Sequence, residues 1–177
     1  IDIFIGHNSN NIINCDVLVY SSAVDVKNEE LIHAKNIGIP VIRRAEMLGE
    51  LMKVKKISIG VSGTHGKTTS SSLLGNILEI SKMEPTLVIG GIVNKFNTNA
   101  ISGSGDVIVV EADEFDKTFL QLSPTYSIIN NLDLEHLDCY NNIEDLQSSF
   151  IKFANSVPFY GKVAICIDDK NTKKIIS

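Results

Sequence analysis

Residues 60–69 read GVSGTHGKTT, and this stretch decides the fold of the chain. It overlaps the end of an apolar run at residues 57–61 and opens a segment in which apolar residues recur at helical spacing. A glycine-rich turn between a strand and a helix exposes backbone N–H groups to a phosphate, and the helix start adds the positive end of its dipole. Lys67 can reach the outer phosphates, and the Thr68 hydroxyl can bind Mg²⁺. The stretch therefore predicts a site for a nucleoside triphosphate.

The spacing of the glycines differs from that of the common phosphate-binding loop. That loop has a glycine at the position that Val61 occupies here, whereas this chain has Gly60, Gly63 and Gly66. A bare Gly-Lys-Thr occurs often by chance and could mark a plain strand-to-helix turn. The preceding strand pattern, the spaced glycines and the following helix favour a phosphate-binding loop.

The composition indicates a soluble globular protein with a hydrophobic core, because 44% of the 177 residues are hydrophobic and 21% are charged. A net charge of −5, with acidic residues spread along the chain, argues against a nucleic-acid partner. No apolar run is long enough for a membrane span. The three cysteines lack metal-ligand spacing and predict a reduced, cytoplasmic protein. We expect both ends to be cuts through a longer protein, whose oligomeric state the sequence leaves open.

Strand and helix patterns alternate along the chain, which predicts an α/β fold with a mainly parallel sheet. A polar segment at residues 94–105 predicts a loop, and the apolar residues of the helix after Lys67 are expected in the core. The predicted strands are residues 1–5, 17–20, 39–42, 57–61, 86–89, 107–110, 126–129 and 163–167, and the other predicted helices are 29–36, 44–52 and 143–153.

Two further strand ends carry polar side chains. Glu111 directly follows the apolar strand at 107–110, and residues 130–138, which include His136, follow the strand at 126–129. Ligands collect at the carboxyl ends of parallel strands. A carboxylate beside a phosphate-binding loop commonly holds Mg²⁺, although taken alone Glu111 would suit a helix start.

Several side chains near these strand ends have two interpretations. His65 could hold the loop by hydrogen bonding or contact a negatively charged substrate. His136, taken alone, would be an ordinary surface or core histidine. The acidic residues Asp113, Glu114 and Asp116 could form a capping cluster for the helix that follows.

Five separated motifs, spread over essentially the whole chain, resemble the Mur ligase family. They are GTHGKTT at 63–69, EADEFD at 111–116, NLDLEHLDCY at 131–140, PFYG at 158–161 and IPVIRRAEML at 39–48. The resemblance implies the second part of a Rossmann-like UDP-sugar-binding domain at residues 1–53. It implies the first part of a central P-loop ATPase domain at residues 54–177, and a basic stretch at 53–56 suits that boundary.

The resemblance also implies a reaction. The carboxylate of UDP-N-acetylmuramate would attack ATP to give an acyl phosphate, and the amine of L-alanine would then displace phosphate. Mg²⁺ would be required, with Mn²⁺ as a possible substitute. This chemistry belongs to peptidoglycan synthesis in the bacterial cytoplasm, and the 177-residue chain alone is expected to be inactive.

The roles that the resemblance implies fall on four sets of residues. The catalytic set is Lys67, Glu111 and His136, and the metal-binding set is Thr68, Glu111 and His136. The nucleotide-binding set is Gly63, Thr64, His65, Gly66, Lys67, Thr68 and Thr69. The set facing the UDP-sugar is Ser21, Ser22, His7, His65 and Asp113.

Two alternative functions stay open from the sequence. One is a recycling ligase that attaches an intact tripeptide to the same nucleotide sugar. The other is a non-catalytic P-loop nucleotide-binding module, such as a GTPase-like switch, which should carry a guanine-reading Asn-Lys-x-Asp motif. Residues 94–97 read NKFN and lack the aspartate.

Overall fold

The computed structural model describes residues 2–93, 97–134 and 139–176 of the chain. The chain divides into two compact units, Ile1–Leu48 and Gly49–Ser177. The domain boundary after residue 53 that the resemblance implies stays a prediction. Within the described ranges, no helix has the length and apolar character needed to cross a membrane.

The first unit contains a small parallel β-structure with one helix before its second strand. Its strands β1 (Leu18–Tyr20) and β2 (Val41–Arg43) pair in parallel. Helix α1 (Glu29–Asn36) begins after Asn28, whose side chain accepts the N–H groups of the first turn, and it ends before Gly38, which has a φ of +79°. A 3₁₀ turn at Ser9–Asn11 precedes β1, and helix α2 (Arg44–Val54) begins in this unit.

The predicted strand at residues 1–5 is wrong for the part that the structure describes. Residues 2–5 form no strand, and the side chains of Ile3 and Ile5 are exposed. Alternating apolar residues form a strand only where a neighbouring strand pairs with them. Over the described residues, the sheet of this unit consists of β1 and β2 alone.

The second unit confirms the α/β fold with a mainly parallel sheet. Its described residues form six strands in the order β5-β4-β6-β3-β7-β8, and all neighbours are parallel except β4 and β5. The strands are β3 (Ile57–Ser62), β4 (Thr86–Val93), β5 (Thr98–Ile101), β6 (Val107–Glu111), β7 (Tyr126–Ile129) and β8 (Lys162–Ile165). The helices are α3 (Lys67–Ile80), α4 (Ile143–Asn155) and α5 (Lys170–Lys173), with a 3₁₀ helix at Phe115–Gln121.

Strand β5 lies inside the segment predicted as a plain loop, so that prediction is wrong for its described residues, 97–105, while residues 94–96 lie outside the described residues. The strand pairs antiparallel with β4 at the edge of the sheet. An edge strand needs only one hydrogen-bonded neighbour and tolerates polar side chains, so its composition resembles that of a loop.

The apolar residues of α3 divide between the core and the surface. Leu74 and Leu78 pack against a buried cluster that includes Val61 and Val109. Leu73 and Ile77 remain 60% and 51% exposed, so the expectation that they lie in the core is wrong. A helix that packs on one side of a sheet buries one stripe of its surface, and these two residues fall outside that stripe.

The close approach of β7 and β8 predicts that Gly161→Ala destabilises the second unit. A Cβ at Gly161 would lie 2.0 Å from the backbone oxygen of Thr125 and 2.7 Å from Cγ1 of Val157. Because the backbone at Thr125 also accepts the N–H of Lys162, it has little freedom to move away. We expect a loss of about 1–3 kcal/mol in the free energy of unfolding. Urea unfolding, with the exposed Ser148→Ala as control, measures it; a loss no larger than that of the control would contradict the packing argument.

Candidate phosphate-binding site

The loop at residues 63–66 joins β3 to α3, as the sequence predicts. Gly63 has a φ of +128° and Gly66 a φ of +76°, both in the region that favours glycine. A Cβ at Gly63 would also lie 3.0 Å from the backbone nitrogen of Asn131. Gly66 is the N-cap residue of α3 and makes no side-chain capping bond. The first N–H groups of a helix lack partners within it, so the start of α3 suits an anion.

Lys67 lies at the first position of α3, with its side chain folded back over the loop. Its Nζ donates to the backbone oxygens of Gly63 at 2.9 Å and Thr64 at 3.3 Å. The same atom lies 2.7 Å from Oε2 of Glu114 and 3.7 Å from Oδ1 of Asp113. Glu114 is buried, with 1% of its side chain exposed. The positive charge of Lys67 is therefore held at the loop by a buried carboxylate.

Thr68 and Glu111 meet at the end of the central strands. The Thr68 hydroxyl lies 3.1 Å from both carboxylate oxygens of Glu111, and Oε2 of Glu111 also accepts the N–H of Gly90 at 2.8 Å. A Cβ at Gly90 would lie 3.1 Å from that carboxylate, and one at Gly91 would lie 3.1 Å from Cγ2 of Thr68. A hydroxyl and a carboxylate are oxygen ligands of the kind that Mg²⁺ prefers. The pair therefore fits the predicted metal.

The segment after β7 lines the other side of the loop. Thr64 donates its N–H to the backbone oxygen of Asn131 at 3.1 Å, and its hydroxyl donates to the oxygen of Asp133 at 3.1 Å. The N–H of His65 donates to Oδ1 of Asn131 at 2.7 Å, and the amide of Asn131 donates back to the His65 oxygen at 3.1 Å. The His65 ring is half exposed, with Nε2 3.4 Å from Oδ2 of Asp133. The backbone of His65 thus holds the loop, and its ring lies at the rim.

The remaining predicted site residues either lie on the exposed side of this centre or fall outside the described residues. Asp113 is exposed and also accepts the N–H of Phe115 at 3.3 Å, which agrees with a capping role. Thr69 is exposed in the first turn of α3. His136 lies outside the described residues, so its predicted role in binding metal together with Glu111 stays a prediction. Elsewhere, the described residues contain no group of three or more His, Cys, Asp or Glu side chains placed to hold a metal.

The residues predicted to face the UDP-sugar lie in the first unit, apart from His65 and Asp113. His7 is exposed, and its Nδ1 lies 2.8 Å from Oε2 of Glu30. This hydrogen bond lowers the pKa of Glu30 below its usual value, against the effect of burial. The hydroxyl of Ser21 accepts the N–H of Ala23 at 3.3 Å, and Ser22 is exposed. Their role in substrate binding stays a prediction.

A second layer of contacts holds the segment that contains Glu114. The buried hydroxyl of Tyr140 donates to the backbone oxygen of Glu114 at 2.7 Å, and burial raises the pKa of Tyr140 above its usual value. Lys117 donates to both carboxylate oxygens of Asp145 at 3.0 Å, which lowers the pKa of Asp145. Its Nζ also lies 5.0 Å from the centre of the Tyr140 ring.

Sequence reasoning missed three residues of this site. In the sequence Glu114 suits a capping residue, and only the fold brings its carboxylate to Lys67. Gly90 and Gly91 follow the predicted strand at 86–89 and have no predicted role, whereas in the structure they lie inside β4. Gly90 lies against the carboxylate of Glu111, and Gly91 lies against the side chain of Thr68. Both contacts depend on β4 lying beside β6, which no local sequence pattern encodes.

Comparison with known families identifies the class. Residues 61–177 match the Mur ligase middle domain, and residues 1–56 match the Mur ligase family catalytic domain. The chain belongs to the Mur ligase family, which confirms the resemblance in its motifs.

The individual proteins that the chain resembles are named for particular ligase reactions. The chain is 54% identical over 174 residues to a UDP-N-acetylmuramate–L-alanine ligase of Persephonella marina, covering 98% of this chain and 38% of that protein. The crystal structure of the UDP-N-acetylmuramate–alanine ligase of Thermotoga maritima matches with a TM-score of 0.85 and 30% identity, over 99% of this chain and 40% of that one. A UDP-N-acetylmuramate:L-alanyl-γ-D-glutamyl-meso-diaminopimelate ligase from Neisseria matches with a TM-score of 0.84 and 25% identity, over 98% of this chain and 59% of that one. The chain spans about two fifths of the length of the curated relatives it matches.

Proposed function

We propose that this chain forms the phosphate- and metal-binding part of an ATP-dependent ligase. The ligase joins L-alanine to the carboxylate of UDP-N-acetylmuramate in peptidoglycan precursor synthesis in the bacterial cytoplasm. The observation that carries the proposal is the convergence of Lys67, Thr68 and Glu111 at the start of α3. The 54% identity to a relative named for this reaction supports the choice of substrates.

The proposed reaction brings the negatively charged carboxylate of UDP-N-acetylmuramate to the negatively charged phosphates of ATP. A carboxylate oxygen of UDP-N-acetylmuramate forms a bond to the γ-phosphorus of ATP, the bond to the bridging oxygen breaks, and ADP leaves. The amine of L-alanine then bonds to the acyl carbon, the carbon–oxygen bond to phosphate breaks, and the amine loses a proton. Each step forms an anionic transition state that fixed positive charge stabilises.

The residues of the site suit this chemistry. The exposed N–H groups at the start of α3 would bind phosphate oxygens, and Lys67 would offset the repulsion between the two anions. Thr68 and Glu111 would hold Mg²⁺, which neutralises phosphate charge when bound. Glu114 would keep the Lys67 ammonium beside the loop before nucleotide binds.

A tripeptide-adding ligase is the second candidate, because the Neisseria structure named for such a substrate matches almost as well. Membership in the Mur ligase family argues against a guanine-nucleotide switch.

The test is ADP release by the complete gene product with ATP, Mg²⁺ and UDP-N-acetylmuramate. We expect turnover with L-alanine, much slower release with the tripeptide, and no turnover by the 177-residue chain alone. Turnover with the tripeptide only would replace the first candidate by the second. No amine-dependent release with either amine would overturn the ligase proposal.

A further inference from the structure

The segment that follows β7 is held from both sides by different parts of the chain. Residues 131–133 follow β7 after Asn130, and their hydrogen bonds divide between two parts of the chain. The polar contacts of Asn131 and Asp133 are to the loop between β3 and α3. The backbone contacts of Leu132 are to the start of α5.

On the α5 side, two side chains satisfy both backbone groups of Leu132. Its N–H donates to Oδ1 of Asp169 at 3.3 Å, and its oxygen accepts from Nδ2 of Asn171 at 2.7 Å. The Leu132 side chain is fully buried. The backbone of the segment is therefore fixed in register at this residue.

The start of α5 is itself firmly anchored. Oδ1 of Asp169 caps the helix by accepting the N–H groups of Asn171 at 3.1 Å and Thr172 at 2.7 Å. Thr172 is fully buried, and its hydroxyl lies within hydrogen-bonding distance of the backbone oxygens of Asp169 and Cys166. Burial alone would raise the pKa of Asp169, but the hydrogen bonds from Thr172, Leu132 and Asn171 lower it below its usual value. Asp169 is thus a charged acceptor at neutral pH.

On the loop side, the contacts reach the residues that shape the phosphate site. The Thr64 hydroxyl both donates to the oxygen of Asp133 and accepts its N–H, at 3.1 and 2.9 Å. Asn131 holds the backbone of Thr64 and His65 through three hydrogen bonds. These two loop residues lie between Gly63 and Gly66.

We propose that Asp169 and Asn171 are positioning residues for the phosphate-binding loop, acting through Leu132. The inference rests on the proposed function, since it assumes that the loop binds the phosphates of ATP. A shift of Leu132 moves Asn131 and Asp133 with it, and the hydrogen bonds to Thr64 and His65 lengthen. A small displacement of a group that positions the substrate can lower the activity strongly.

The test compares variants in the complete gene product. Asn171→Leu keeps the size of the side chain and removes its donor, and Asp169→Ala removes the acceptor. Asp169→Asn retains an acceptor at the same place and serves as the conservative rescue. Asp168→Asn, at an exposed neighbouring carboxylate, controls for the change in charge.

Two readouts are measured: the Kd for MgATP by calorimetry, and hydrogen exchange at the amides of Thr64 and His65, with the amides of β6 as the reference for global stability. For Asn171→Leu and Asp169→Ala we expect a Kd weaker by about tenfold or more, and faster exchange at the two loop amides without a matching change in β6. Asp169→Asn and Asp168→Asn should stay close to wild type. If Asn171→Leu does not fold, the comparison of Asp169→Ala with Asp169→Asn decides.

The outcomes separate this inference from the proposed function. If wild type binds MgATP and both disruptive variants match it in affinity and loop exchange, the positioning role is wrong. If wild type does not bind MgATP, the proposed function fails, and loop exchange alone decides whether Asp169 and Asn171 position the loop. Faster exchange spread equally over β6 and the loop would indicate a general loss of stability and overturn the inference.

Discussion

Lys67→Met is expected to reduce ATP-dependent turnover of the complete gene product by at least about 10²-fold. The substitution keeps a long side chain but removes the positive charge that lies at the start of α3, within 3.3 Å of two loop carbonyl oxygens. If this charge offsets the repulsion between the nucleotide and the substrate carboxylate, its loss acts mainly on the transition state. Initial rates of ADP release at saturating substrates measure the effect.

The same substitution disturbs the fold, because Glu114 is buried and loses the 2.7 Å ion pair with Lys67. Removing one partner of a buried pair costs about 3–5 kcal/mol. The double variant Lys67→Met/Glu114→Gln removes the remaining charge and should recover much of the stability without recovering turnover. Lys56→Met controls for loss of a lysine, since Lys56 is 78% exposed in its ion pair with Asp106. Recovery of turnover in the double variant would contradict a direct role for the Lys67 charge.

The centre of the site could be predicted because its signals are local. Glycines at 63 and 66 between a strand and a helix predicted the loop, and both have the positive φ that such a turn requires. Glu111 could be placed beside the loop because parallel strands end at the same edge of a sheet. The register confirms this, with Glu111 opposite Val61 in the neighbouring strand.

The surroundings of the site could not be predicted, because they depend on pairings between distant segments. Glu114 looks like a capping residue until the fold brings it to Lys67, which lies 47 residues away along the chain. Asp169 caps α5 and Asn171 lies in that helix, and their contacts with Leu132 span more than 35 residues of the chain. Apolar spacing likewise identified α3 but not which of its apolar residues the sheet covers.

The carboxylate of Glu111 ties three segments of the site together, since it contacts Thr68 at the start of α3 and Gly90 in β4 from its own place at the end of β6. Glu111→Gln retains an oxygen that can accept the Gly90 N–H and removes the negative charge. We expect turnover to fall by about 10²-fold and the Mg²⁺ concentration for half-maximal rate to rise by about tenfold or more, because Mg²⁺ binds a neutral amide oxygen more weakly than a carboxylate. Rates measured over a series of Mg²⁺ concentrations give both quantities.

Two further variants test whether the effect of Glu111→Gln comes from loss of a metal ligand. Thr68→Val removes the hydroxyl of the same pair with little change in shape, and it should raise the Mg²⁺ requirement in the same direction. Glu144→Gln, at an exposed carboxylate in the first turn of α4, removes the same charge away from the site and should leave the requirement unchanged. A Glu111→Gln protein that is slower at every Mg²⁺ concentration by one constant factor would show that Glu111 orders the loop and β4 without binding the metal. A shifted Mg²⁺ dependence in both Glu111→Gln and Thr68→Val would place the ion at the one point where their oxygens meet.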